Sequence, residues 1–304
     1  MADITRPFEG AQSLPGRIQQ KPFNWNRALT YTVLLLGTVL AVGPFLWMLS
    51  SSLMTASEIA GGKLIPGELL FSNYPTAWAQ ANLAQFMWNS IRITVITVSG
   101  ELLFCTLAAY AFARMNFYGK NMLFGLMLVT MMIPAIATLI PNYLTVVWIS
   151  RLSQSVCGEA CKWLDSWPSL TIPFMASAFS IFLLRQFFIQ IPVELWDAAR
   201  IDGAGHLRFL RSVILPLSRA PIMTVAMFGF IASWNSLMWP LLVVQSDTWR
   251  PIAFGLQKFV STEVQGDFQL QMAASVIMIA PIMVLYFFTQ RQFTAGIAST
   301  GLKG

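Results

Sequence analysis

Charge is scarce in this sequence. Asp, Glu, Lys and Arg make up 11% of its 304 residues, against roughly 25% in an average soluble domain, so a water-facing surface of ordinary size could not be solvated. Histidine occurs once, at His206, and cysteine three times, at Cys105, Cys157 and Cys161. One imidazole without a cysteine cluster on its side is too few ligands for a zinc centre, and no metal is expected. Gly296 and Gly301 have the glycine spacing of a phosphate-binding loop, but Leu302-Lys303 follows instead of adjacent Gly-Lys and Ser or Thr, and no helix remains to face a phosphate. No cofactor is therefore expected on this chain. Period-two alternation is missing as well: Thr32–Leu49 and Ile181–Ile189 are almost continuously apolar, which argues against a membrane barrel.

What the chain has instead is hydrophobic length. Apolar residues form 56% of it, gathered into runs of about 20 residues, enough to cross a hydrocarbon core of about 30 Å. The expected fold class is an all-α membrane protein of six transmembrane helices, at 28–50, 90–113, 121–149, 168–190, 219–244 and 269–290. Tails at 1–27 and 291–304 flank this 28–290 bundle, and Pro134 and Pro141 are expected to kink or shorten the third span. The first span follows a polar tail and continues through Pro44-Phe45-Leu46-Trp47, unlike a cleaved signal peptide.

Lys and Arg sort by side. Thirteen lie on the side of the termini and six on the other, which places both termini in the cytoplasm. The net charge of +6 thus follows from topology. No soluble stretch interleaves basic and aromatic residues, so no nucleic-acid partner is expected. On the outer side, residues 51–89 carry the turn signals Gly61-Gly62, Pro66-Gly67 and Asn73-Tyr74-Pro75. On the inner side, 191–218 is too polar to insert. It is expected to form two short helices, the first opened by Pro192 with an apolar stripe of Leu195, Ala198, Ala199 and Ile201. Gly203 and Gly205 then let the chain turn. By composition alone this is an amphipathic unit on the membrane surface.

The string itself says more. Asp197-Ala198-Ala199, Gly203, and Val213 followed by Leu215-Pro216 resemble the EAA motif of binding-protein-dependent ABC transporter permeases, with Asp for the usual Glu and Val for the usual Ile. The flanks 190–194 and 199–204 are similar to the carbohydrate-uptake branch, as are Ala108–Arg114, Ser233-Trp234-Asn235, Trp239-Pro240-Leu241 and the terminal Lys303-Gly304. The resemblance covers roughly 28–304. It implies a permease subunit of an ATP-driven importer in a bacterial or archaeal cytoplasmic membrane, not itself an enzyme. ATP and magnesium would sit on a partner. The implied assembly comprises a second related permease, two ATPase subunits that the C-terminal tail can also reach, and an extracytoplasmic solute-binding protein. It also implies that 191–218 is a coupling segment seated on an ATPase through Glu194, Asp197, Ala198, Ala199, Asp202 and Gly203. An ion-driven secondary transporter or channel is the alternative, with Glu101 as its one intramembrane coupling group.

Three sites stay open at this level. Glu101 falls mid-span, where a carboxyl is costly and must face a polar neighbour or cavity. It is either a hydrogen-bonded structural group or part of a solute path. Trp234 and Asn235 either stack on and hydrogen-bond a sugar or make interhelical contacts. Cys157 and Cys161 lie on the outer side, where a disulfide can persist, and their spacing allows a bridge without requiring one. Cys105 reads as packing.

Overall fold

The computed structural model describes residues 25–261 and 267–301. The chain divides between Leu46 and Trp47 into two units, each described by itself. In the first, residues 25–46 belong to the helix Trp25–Ser51. Leu34, Leu35, Leu36 and Leu40 on it are all exposed, the behaviour of a helix whose solvent is lipid.

In the second unit the helix Leu83–Arg114 is the mast of the bundle. Its 32 residues span about 48 Å at 1.5 Å per residue, more than a hydrocarbon core requires. The buried positions Leu83, Phe86, Ser90, Ile93, Thr97, Glu101, Cys105 and Ala109 recur every three or four residues, so one stripe faces inward along the whole length. Three apolar clusters hang on it. At one end Leu83 and Phe86 pack with Trp234, Ile252 and Ala274. Ile93 joins Val146, Leu170 and Trp239. At the far end Cys105, Ala109 and Tyr110 pack with Leu184, Phe188, Phe209 and Val225. Between these clusters the stripe turns polar, with Asn89, Thr94, Thr97 and Glu101 all buried.

Among the described residues no strand is formed. Four helices are long and apolar enough to cross a membrane, and six spans result if two bent pairs each count as one. Several helices run past the expected spans or break within them. The helix that holds the second begins at Leu83, ahead of residue 90, and Asn82 in a left-handed conformation (φ 52°) precedes it. The third is two helices, Lys120–Thr130 and Ala135–Cys157. Pro134 stands extended between them as N-cap, since it has no N–H to continue the first helix. The fourth breaks near Met175–Ser177 into Trp167–Phe174 and Ala178–Gln190, bent by 41°. The Ser177 side chain caps the second piece by accepting the Ser180 N–H at 3.3 Å. The fifth ends as a regular helix at Trp234 and restarts at Met238–Val243. The last helix, Phe268–Gly301, continues past residue 290.

The outer loop has more structure than its turn signals suggested. Gly62 turns at φ 73°. Asn73-Tyr74-Pro75, however, opens a helix that runs to Gln80. The Asn73 amide donates to the carbonyls of Ser52 (3.0 Å) and Met54 (2.9 Å), tying that helix to the end of the first span. Thr55 and Glu58 form a reciprocal capping box on Ala56–Ala60. The Thr55 and Gly67 N–H groups, with Lys63 beside them, pull the Glu58 carboxyl down to about 2, so the loop keeps this anchor at any moderately acidic pH.

Candidate docking segment and solute cavity

The segment after the fourth span folds as two helices at a fixed corner. Glu194–Ile201 is capped by Asp202, and the chain reverses at Gly203 with φ 74°. The Gly203 N–H donates to the Arg200 carbonyl at 3.0 Å and the Ala204 N–H to the Ala199 carbonyl at 2.8 Å. These two bonds make a Schellman motif with glycine at the left-handed position. The second arm, His206–Leu217, contains a π turn at Leu210–Ile214 and meets Arg219–Trp234 at an 83° bend. Pro216 cannot donate to the Ser212 carbonyl, which accounts for the disrupted ladder just before the bend.

The apolar residues of the first arm divide between two faces. Trp196 and Ala199 pack against the bundle, whereas Leu195, Ala198 and Ile201 point outward, Ile201 at 87% exposure. Glu194, Asp197, Asp202 and Gly203 are exposed with them. Glu194 and Asp197 sit in the first turn, where the helix dipole favours them, and Asp202 is the C-cap. The result is a mixed apolar and acidic outer face on a short, rigid helix.

An aromatic latch holds that helix. Trp196 stacks on His206 with ring centres 4.5 Å apart and meets Phe209 edge-on at 5.0 Å. The Tyr110 hydroxyl, on the mast helix, lies 2.8 Å from His206 Nδ1. Arg114, one turn on, donates to the Phe188 carbonyl at 2.7 Å and also to that of Ile191. His206 is therefore a structural contact. Among the described residues no group of three metal-ligating side chains occurs.

The second feature is a cavity of about 440 Å³ between the mast helix, the broken fourth span and Arg219–Trp234. Glu101 lines it, 6% exposed, and its Oε1 accepts the Ser180 hydroxyl at 2.6 Å. Glu101 Oε2 lies where a Cβ on Gly229 would collide with it, and Val98 is 3.4 Å from the same point. Gly229→Leu should therefore displace the carboxyl and part the two helices. A cost of about 1–3 kcal/mol is expected for overpacking, read as a lower thermal midpoint of the purified protein.

Of the residues expected on a solute path, Glu101 alone lines this cavity. Trp234 is 1% exposed in a core cluster, stacked on Phe230 at 5.4 Å, and donates its indole N–H to the Met278 carbonyl at 3.0 Å. Asn235 is exposed as the helix C-cap. The tryptophan on the cavity is Trp239, fixed by its indole N–H to the Ser169 carbonyl at 2.8 Å. Thr97, Ser180 and Gly229 were not anticipated. Thr97, one turn before Glu101, follows from helical spacing; the other two carry no signal of their own in the sequence.

Cys157 and Cys161 form a disulfide with Cα atoms 5.9 Å apart. Cys105 is a buried free thiol packed in the bundle. The side chains of the C-terminal tail, with its glycine spacing, and residues 1–24 lie outside the described residues.

Residues 102–299 match the family described as binding-protein-dependent transport system inner membrane component. The chain belongs to that family. It is thus a multi-pass membrane permease subunit of an ABC importer, and ATP hydrolysis belongs to a separate subunit. The match takes in the helical corner, Ser180 and Gly229 and begins one residue after Glu101. The sn-glycerol-3-phosphate transport system permease protein UgpE of Brucella abortus (strain 2308) is 29% identical over 293 residues, covering 93% of this chain and 99% of the relative. The lactose transport system permease protein LacG of Rhizobium radiobacter is 29% identical over 267 residues, covering 88% and 93%. A solved bacterial ABC transporter involved in import of the acidic polysaccharide alginate superimposes with a TM-score of 0.75 at 24% identity, covering 89% of this chain and 99% of that one. That likeness supports the fold.

Proposed function

We propose that this permease carries a carbohydrate or similar small polar solute, handed over by an extracytoplasmic binding protein, and that it works beside a second, related permease on two ATPase subunits. Relatives named for glycerol-3-phosphate, lactose and diacetylchitobiose support that solute range. The observation that carries the coupling role is the corner at Gly203. An exposed face of Glu194, Asp197, Ala198, Ile201 and Asp202 stands on a helix fixed from behind by Trp196. Small Ala198 and Gly203 allow close approach of a partner backbone, and the carboxylates supply charges for it to answer. Closure of two ATPases would move such a corner as a rigid body and rotate the spans with it. The decisive measurement is ATP-dependent solute uptake in proteoliposomes holding both permeases, the ATPases and the binding protein. Uptake driven by an ion gradient without ATP would refute this function.

The same proposal puts both termini and 191–218 in the cytoplasm of a bacterial or archaeal cell, on the strength of the thirteen-to-six division of Lys and Arg. A cysteine placed at Ser13 is expected to stay unlabelled by an impermeant thiol reagent in spheroplasts, and one at Gly62 to label fully. Equal labelling of the two would refute that topology.

A further inference from the structure

The cavity beside Glu101 has a chemistry narrower than a general solute path. Thr97 is 4% exposed and lines it, yet its hydroxyl has no hydrogen-bond partner. A buried hydroxyl left without a partner is costly, so a ligand hydroxyl that reached it would gain a hydrogen bond. Glu101 stands one turn further along the same helix. Ser180 occupies its Oε1, while Gly229 leaves room for Oε2. Two polar contacts about 6 Å apart along one helix face suit a molecule with several hydroxyls better than one with a single polar group. Most of the remaining wall is aromatic or apolar, with Phe179 edge-on to Phe228 at 5.7 Å and Phe174 edge-on to Trp239 at 5.6 Å, and Ser177, Ser233 and Ser236 add further hydroxyls. Such surfaces accept the C–H faces of a sugar or polyol.

Among the described residues no lysine or arginine lines the cavity. A phosphate or carboxylate entering it would lose water without gaining a cation, and an ionised Glu101 would repel it as well. If Glu101 is protonated, the missing cation still stands. We propose that Thr97 and Glu101, set by Ser180 and Gly229, form a station that reads the hydroxyls of an uncharged polyhydroxylated solute and discriminates against anionic ones. This rests on the proposal that the chain is a solute permease.

The test uses the complete transporter in lipid nanodiscs, with Cys105→Ser and a reporter Ala232→Cys on the exposed lip of the cavity. The rate of N-ethylmaleimide labelling is followed in glucose against glucuronate and in glycerol against glycerol 3-phosphate, pairs that differ mainly by an anionic group. Neutral members are expected to protect at concentrations about tenfold lower than their anionic counterparts, the size of one uncompensated polar contact. Thr97→Val should weaken protection by the neutral probes several-fold. Glu101→Gln, which keeps an acceptor for Ser180, should narrow the gap within each pair. Equal protection within each pair, no protection by any probe, or unchanged protection in Thr97→Val would each overturn the inference. The assay needs no ATP. A failure here with ATP-driven uptake intact therefore removes the station alone, whereas loss of ATP dependence removes the importer proposal.

Discussion

Replacing Gly203 by aspartate is expected to leave the permease inserted in the membrane and to strip the ATPase from it. The backbone there has φ 74°. An L-residue in that region costs roughly 1–2 kcal/mol, somewhat less for aspartate, which like asparagine tolerates it better than most. A Cβ at Gly203 would meet nothing within 4 Å, so the added side chain does not disturb this subunit's own packing. The strain falls on the Schellman turn, which sets the angle between the two arms. The new carboxylate falls on a face that already carries Asp197 and Asp202. Asp197→Lys works by sign instead. It reverses a charge proposed to face the ATPase, and like charges across an interface cost several kcal/mol. Both variants should reduce ATPase co-purification by about tenfold or more, equivalent to at least 1.4 kcal/mol, with hydrolysis no longer stimulated by solute. Gly203→Ala separates the causes, since it strains the turn without adding charge, and its effect should be the mildest. If Gly203→Asp and Asp197→Lys both co-purify and couple like the parent, 191–218 is not the docking segment.

How far the sequence could be read depended on whether a feature is local. Continuous apolar runs announce membrane-spanning helices directly, because the sides of such a helix that do not pack on the bundle meet hydrocarbon. The glycine that turns the docking corner was also legible, since few other residues end a helix at positive φ. The breaks inside spans were harder. Pro134 gave notice of one, but Ser177 and Asn235-Ser236 are short polar interruptions that a hydropathy window averages away. Position on a face was hardest. Trp234 and Trp239 are five residues apart, so on one continuous helix they would point about 140° from each other. The break between them makes even that angle unusable, and sequence alone could not tell which lines the cavity. Glu101 and Ser180 lie 79 residues apart. Nothing at Ser180 marks it as the partner of a buried carboxyl. Which way the apolar stripe of Glu194–Ile201 faces was open for a related reason. Leu195 and Ile201 are exposed, and the partly buried Trp196 takes the place against the bundle.

Trp196→Ala is expected to uncouple the transporter by a different route, without touching the docking face. The indole lies between His206 and Phe209, and His206 is in turn hydrogen-bonded to Tyr110 on the mast helix. Movement imposed on Glu194–Ile201 therefore reaches the mast helix through a stack of rings. Truncating a fully buried tryptophan costs about 3–5 kcal/mol, and a partly buried one about 2–3 kcal/mol. A loss of that size loosens the first arm on its support while Asp197, Asp202 and Gly203 keep their outward positions. ATPase should still co-purify, and basal hydrolysis should persist, but solute uptake per ATP should fall by about tenfold or more, the factor that 1.4 kcal/mol represents. Trp196→Phe keeps a ring against His206 and should recover most of the uptake. Tyr110→Phe removes one hydrogen bond, worth about 1 kcal/mol, and should give an intermediate ratio. The measurement is uptake and hydrolysis in the same proteoliposomes, so that the ratio is independent of yield. An unchanged ratio in Trp196→Ala would show that the arm is held by its backbone alone, through Arg114 on the Phe188 and Ile191 carbonyls, and that the aromatic stack carries no motion.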